Sequence, residues 1–130
     1  MPSPFRRIAA LLVAAVVLAA VPAGAQTAKP KHFVYVLRVA PKYQVDSAWT
    51  DADRAAIGRH FARLAKATEA GQVVLAGRTE EALDRAFGLV VFEAESEDAA
   101  RRFMESDPAV VAGVMVATLH PYSIALLRKG

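Results

Sequence analysis

Residues Arg59–Gly77 read RHFARLAKATEAGQVVLAG, and this stretch decides the fold. Its first part belongs to a helix. Starting just upstream, Ile57, Phe61, Leu64 and Thr68 recur at helical spacing and mark a core stripe. Arg54, Arg59, Arg63 and Lys66 form the wetter side, and His60 falls on the boundary between the two. Gly71 stands where a helix ends on a left-handed residue. Gln72–Gly77 (QVVLAG) is short and apolar with two valines, which reads as a strand. A helix that runs straight into a strand packs on the sheet the strand joins, so the stretch predicts a helix-on-sheet unit with a titratable group at its edge.

Working outward, Phe33–Val39 (FVYVLRV) is rich in β-branched and aromatic residues and forms the first strand, ended by Pro41. Lys42–Trp49 is a loop that Trp49 anchors onto the core. Thr50 and Asp53 have the spacing of a capping box, with Asp in place of Glu, and open a helix over about 51–70. Beyond Gly77, Arg78–Arg85 is a polar turn or loop, and Phe87–Ala94 is a third strand. Ser96 caps a second helix whose core face is Ala99 or Ala100, Phe103 and Met104. Asp107-Pro108 breaks it, and Pro108–Ala112 makes one more turn before Gly113. Val114–Leu119 is a fourth strand, interrupted at His120-Pro121 and resumed through Tyr122–Leu127.

The order β-α-β-β-α-β defines an α+β, ferredoxin-like unit: an antiparallel four-stranded sheet with both helices on one face. The other face has no cover within the chain and carries apolar side chains whichever strand parity is chosen. Exposed apolar surface of that extent favours pairing of two sheets in a homodimer.

The 130 residues suit one domain with one core. Arg6 and Arg7 precede Ile8–Val21, a run of 14 apolar residues, and Ala23-Gly24-Ala25 has the form of a cleavage site. At ~1.5 Å per residue the run spans roughly 21 Å, short of a ~30 Å hydrocarbon core. Residues 1–25 therefore read as a signal peptide for export to the periplasm or beyond the cell, 26–32 as a flexible leader, and 33–128 as the domain, with no membrane attachment after cleavage. Losing Arg6 and Arg7 lowers the formal charge from +3 to +1, which removes the electrostatic case for nucleic acid. The absence of cysteine excludes disulfides, thiol catalysis and thiolate metal sites.

Arg59-x-x-x-Arg63 around His60, then Leu64, Gly71, Leu75-Ala76-Gly77, Phe87-Gly88, Ser96–Ala100 (SEDAA), Asp107-Pro108 and Gly113 together resemble the YciI (YCII-related) family. The resemblance covers about 33–127. It implies a dimeric α+β barrel built from two ferredoxin-like units, and an active site formed by a first-helix histidine and the aspartate of an Asp-Pro pair. Those positions are His60 and Asp107 here. Relatives in the same superfamily include muconolactone isomerases and a chloromuconolactone dehalogenase. The chain departs from the family at Gly77-Arg78, where Gly-Pro is frequent.

In chemical terms His60 is a general acid or base if a carboxylate holds one tautomer of its ring. Its structural alternative is a boundary histidine packed on Phe61 or Leu64. Asp107 is equally accounted for as an N-cap with Pro108 at the first helical position. The two roles are compatible, since a capping carboxylate keeps an oxygen for His60. Arg78 offers a planar fork to a substrate carboxylate, or else is a solvated strand end. His120 reads as a surface turn, and His32 as part of the leader boundary. Without HxH or HxxxH spacing no metal is expected, and no cofactor. The expectation is an exported small-molecule enzyme using His60 and Asp107 for proton transfer in an isomerase, lyase or hydrolase type of reaction on a small substrate. The alternatives are a non-catalytic small-ligand-binding or stress-related dimeric module, and a protein whose dimer serves as an interaction partner.

Overall fold

A computed structural model describes residues 31–130, with residues 20 and 29 besides. The signal-peptide reading of 1–25 falls outside the described residues apart from the isolated residue 20, as does most of the leader. Strand β1 (Lys31–Val39) alternates as its sequence demands: Phe33, Tyr35 and Leu37 point into the core, with Val34, Val36 and Arg38 on the opposite side. It begins two residues earlier than its apolar run. Lys31 and His32 pair with Ala94 and Glu93, and His32 Nε2 lies 3.2 Å from the Glu93 carboxylate. His32 is thus part of the sheet and not of a leader, because a cross-strand partner extends the ladder past the apolar residues.

Strands β2 (Val73–Arg78), β3 (Gly88–Ala94) and β4 (Met115–Pro121) complete an antiparallel sheet in the order β2-β3-β1-β4. That is the ferredoxin-like arrangement the element order predicts. β4 is one strand only. After Pro121 the ladder closes with a Tyr122 N–H bond to the His32 carbonyl, and residues 122–130 adopt no regular structure. The expected second segment Tyr122–Leu127 does not form because β1, its pairing partner, has already ended at Lys31. In the loop after β1, Trp49 donates from Nε1 to the Tyr43 carbonyl at 2.7 Å and packs edge-on against the Tyr43 ring. Its anchor is the buried Tyr43, not the sheet.

Helices α1 (Asp51–Glu69) and α2 (Glu97–Glu105) lie on one face of the sheet. Thr50 and Asp53 close a reciprocal capping box, and Ser96 caps α2 through the Ala99 N–H. The backbone and hydroxyl of Thr50 hold the Asp53 carboxyl below its usual range. A last short helix, α3 (Pro108–Val111), is capped by Asp107. The inward side of α1 differs from the apolar stripe. Ala56, Leu64 and Ala67 are buried and His60 and Arg63 are half-buried, while Phe61 is 73% exposed and Thr68 is also outside. The helix is turned so that two polar residues face inward, which no hydrophobic period reports.

The core between helices and sheet is an aromatic stack. Phe92 and Phe103 lie 4.8 Å apart, Tyr35 meets Phe92 edge-on at 5.5 Å, and Leu64, Ala67, Val90 and Met104 fill around them. Burying rings of this size supplies about 2–3 kcal/mol each. Gly71 ends α1 at φ +81°, and a Cβ there would meet nothing within 4 Å. Substituting alanine therefore costs backbone strain alone. We expect Gly71→Ala to lower stability by about 1 kcal/mol in chemical denaturation with no change in quaternary structure; an unchanged midpoint would contradict this.

On the sheet face opposite the helices, which is uncovered among the described residues, register aligns Val34, Val36, Leu75, Leu89, Val91 and Val116. Central Val34 and Val91 are shielded by neighbours, but Leu75 and Val116 are more than half exposed.

Candidate active site

Three elements converge on one carboxylate. Asp107, at the start of α3, is wholly buried. His60, on the inward side of α1, donates from Nδ1 to both of its oxygens, 2.7 Å from Oδ1 and 2.8 Å from Oδ2. Tyr35, from the middle of β1, donates its hydroxyl to Oδ2 at 2.8 Å, and the Ala109 amide donates to Oδ1 at 3.0 Å. Local sequence explains each position. Pro108 lacks an N–H and has the φ of a first helical residue, so the chain turns into α3 with the Asp107 side chain folded back over the Ala109 amide. Alternation along β1 directs Tyr35 inward, where its hydroxyl has to find an acceptor.

Burial by itself raises the Asp107 carboxyl, but the bonds from His60, the proximity of its ring, and the bonds from Tyr35 and Ala109 outweigh it and bring it below the usual carboxylate range. Asp107 is therefore ionised at neutral pH. An ionised carboxylate only accepts, so the proton between it and His60 belongs to Nδ1. In the neutral ring the lone pair is then on Nε2, which has no hydrogen-bond partner among the described residues and is not a buried atom. Burial, followed by the Asp107 charge and hydrogen bond, pushes the Tyr35 phenol far above its ordinary range, so it stays a donor. The arrangement is an accessible imidazole nitrogen backed by a fixed, buried negative charge. Such a group takes a proton from an acid at Nε2 and holds the resulting imidazolium against Asp107.

Of the residues singled out from sequence, His60 and Asp107 meet. Arg78 does not join them. It is exposed at the end of β2, and its side chain makes no hydrogen bond or ion pair among the described residues. His120 is exposed on the uncovered face, across the sheet from the dyad. Two participants were not singled out. Tyr35 reads as core, although a tyrosine at a central inward strand position signals a buried acceptor. Arg63 reads as solvated, yet its guanidinium lies 4.2 Å over the Phe103 ring and donates from Nη2 to the Ser106 hydroxyl at 2.7 Å.

The fold and site together define a ferredoxin-like α+β chain with a carboxylate-backed histidine on the inward side of its first helix. The YCII-related domain matches residues 33–119, well over half of the sequence, and the chain belongs to that family. No curated protein matches it.

Proposed function

We propose that the protein is an exported small-molecule enzyme in which His60, oriented by Asp107, transfers protons in an isomerase, lyase or hydrolase type of reaction. The observation that carries this reading is the bond of His60 Nδ1 to a buried, ionised Asp107, which leaves Nε2 as the free base. Nε2 removes a proton from the substrate or from an attacking water, the imidazolium rests against Asp107, and the same proton returns to the product or leaving group. The apolar run and small-residue cleavage pattern of residues 1–25 support export. The deciding experiment is a thermal-shift screen of small molecules followed by turnover assays on the hits, with His60→Ala as the control. A ligand bound unchanged, with no turnover in either form, would favour the non-catalytic binding module. That reading draws on the fact that the cap and Tyr35 already account for Asp107.

The uncovered sheet face supports a homodimer through paired sheets, with Leu75 and Val116 buried between the copies. Leu75→Glu is expected to convert a dimer to monomer at micromolar concentration in analytical ultracentrifugation. A wild-type monomer, or an unaffected dimer in the variant, would refute the paired-sheet arrangement.

A further inference from the structure

Arg63 is the one charged residue of the site whose own chain leaves it incompletely paired. It lies one helical turn after His60 on α1, on the same inward side. The guanidinium lies over the Phe103 ring, and Ser106 takes one end of it. The other end, Nη1, is buried and has no acceptor; it is the single such side-chain atom among the described residues. The guanidinium is near enough to Tyr35 for its charge to act on that phenol. The Asp107 carboxylate accepts from His60, Tyr35 and Ala109, and Arg63 is not among its donors. No ion pair joins Arg63 to any carboxylate among the described residues.

A buried N–H without an acceptor costs about 1–3 kcal/mol, and groups of this kind survive where function requires them. We propose that Arg63 receives an oxyanion of the substrate, so that the site acts on small organic anions. This rests on the reading of His60 as the site's proton-transfer group and names the substrate class for it. Nη1 is covered, so the anion engages the guanidinium from the exposed Ser106 side. It displaces the neutral serine hydroxyl from Nη2, since a charge-assisted bond is stronger than a neutral one. The freed fork then turns to present both terminal nitrogens to the two oxygens. Ser106 keeps its own bond to the Arg102 carbonyl, 2.6 Å away, and loses only an incoming donor. A carboxylate and a phosphate present the same pair of oxygens to this fork, and the titration arms below separate them.

The test is a titration of the isotopically labelled protein with sodium acetate, sodium phosphate or sodium chloride at matched ionic strength. The readouts are the side-chain nitrogen resonances of Arg63 and His60. Saturable shifts are expected with acetate, phosphate or both, and not with chloride; the stronger arm identifies a carboxylate or a phosphate ligand. Arg63→Gln should abolish saturation while the His60 ring keeps its Nδ1–H signature. Arg63→Lys, which retains the charge but not the fork, should weaken binding about tenfold and serves if the glutamine variant does not fold. Shifts equal to those with chloride, or saturation unchanged in both variants, would overturn the proposal. Loss of turnover is not the readout, so failure of the His60 mechanism would leave this result standing, and the reverse.

Discussion

Asp107→Ala is expected to destabilise the domain by about 4 kcal/mol, which for a chain of this size lowers the melting temperature by roughly 20 °C. Several losses combine. Tyr35 keeps a wholly buried hydroxyl with no acceptor, at about 1–3 kcal/mol. The α3 cap is removed, at about 1 kcal/mol. His60 Nδ1 also loses its partner in a half-buried position. Tyr35→Phe, by contrast, deletes a donor and leaves the carboxylate two others, so its cost should stay near 1 kcal/mol. The same carboxylate sets an acid limit. Its folded-state pKa lies below the ordinary value of 3.8, so the stabilisation is fully present above about pH 4 and is lost as pH falls through the folded value. Asp53 is lowered in the same direction. Asp107→Asn should therefore flatten the acid limb of the stability curve without removing it. Calorimetry from pH 2 to 7 checks both statements, and a melting temperature for Asp107→Ala within 3 °C of wild type would sink the account of Asp107 as the site's hub.

His60→Ala is expected to lower turnover by about 10²–10⁴-fold, the usual range for a positioned acid or base. Stability should fall as well, though by less than in Asp107→Ala, because His60 is the foremost group holding the buried Asp107 carboxyl below its usual range. Asp107→Asn should reduce turnover through a different route. An amide in place of the carboxylate can donate to the ring, which would move the proton to Nε2 and leave no base facing the substrate. Nitrogen chemical shifts of His60 read this directly: Nδ1–H in the wild type, and a changed tautomer population in the variant. Turnover in His60→Ala equal to the wild type, on a substrate from the screen, would remove His60 from the mechanism.

The fold was legible because its punctuation is strong. Thr50, Gly71, Ser96 and Asp107-Pro108 each stand where a backbone group needs a cap or a left-handed turn, and the structure uses all four in those roles. The inward side of α1 was not legible, for an instructive reason. Hydrophobic spacing selects Phe61, but the helix turns His60 and Arg63 inward because Asp107, Ser106 and the Phe103 ring meet them there. Polar residues that face inward to meet buried partners mimic a solvated side, so hydrophobic periodicity fails at these positions. Arg78 attracted notice for its place beside Gly77, while Arg63, hidden by its charge, reached the dyad's surroundings. Tyr35 could have been found by asking where a tyrosine hydroxyl goes when its strand neighbours are all apolar.

The site also has a temporal meaning. Tyr35 and Asp107 are 72 residues apart in sequence, and His60 and Asp107 are 47 apart. No local segment contains the dyad with its support. The central strand, the first helix and the turn after the second must all be in place before the carboxylate is held, and closing such long loops precedes any gain from the contact. The hydrogen-bonded cluster around Asp107 is thus a product of tertiary assembly and not of any one segment. A chain without these long-range contacts carries the histidine but not the fixed charge behind it.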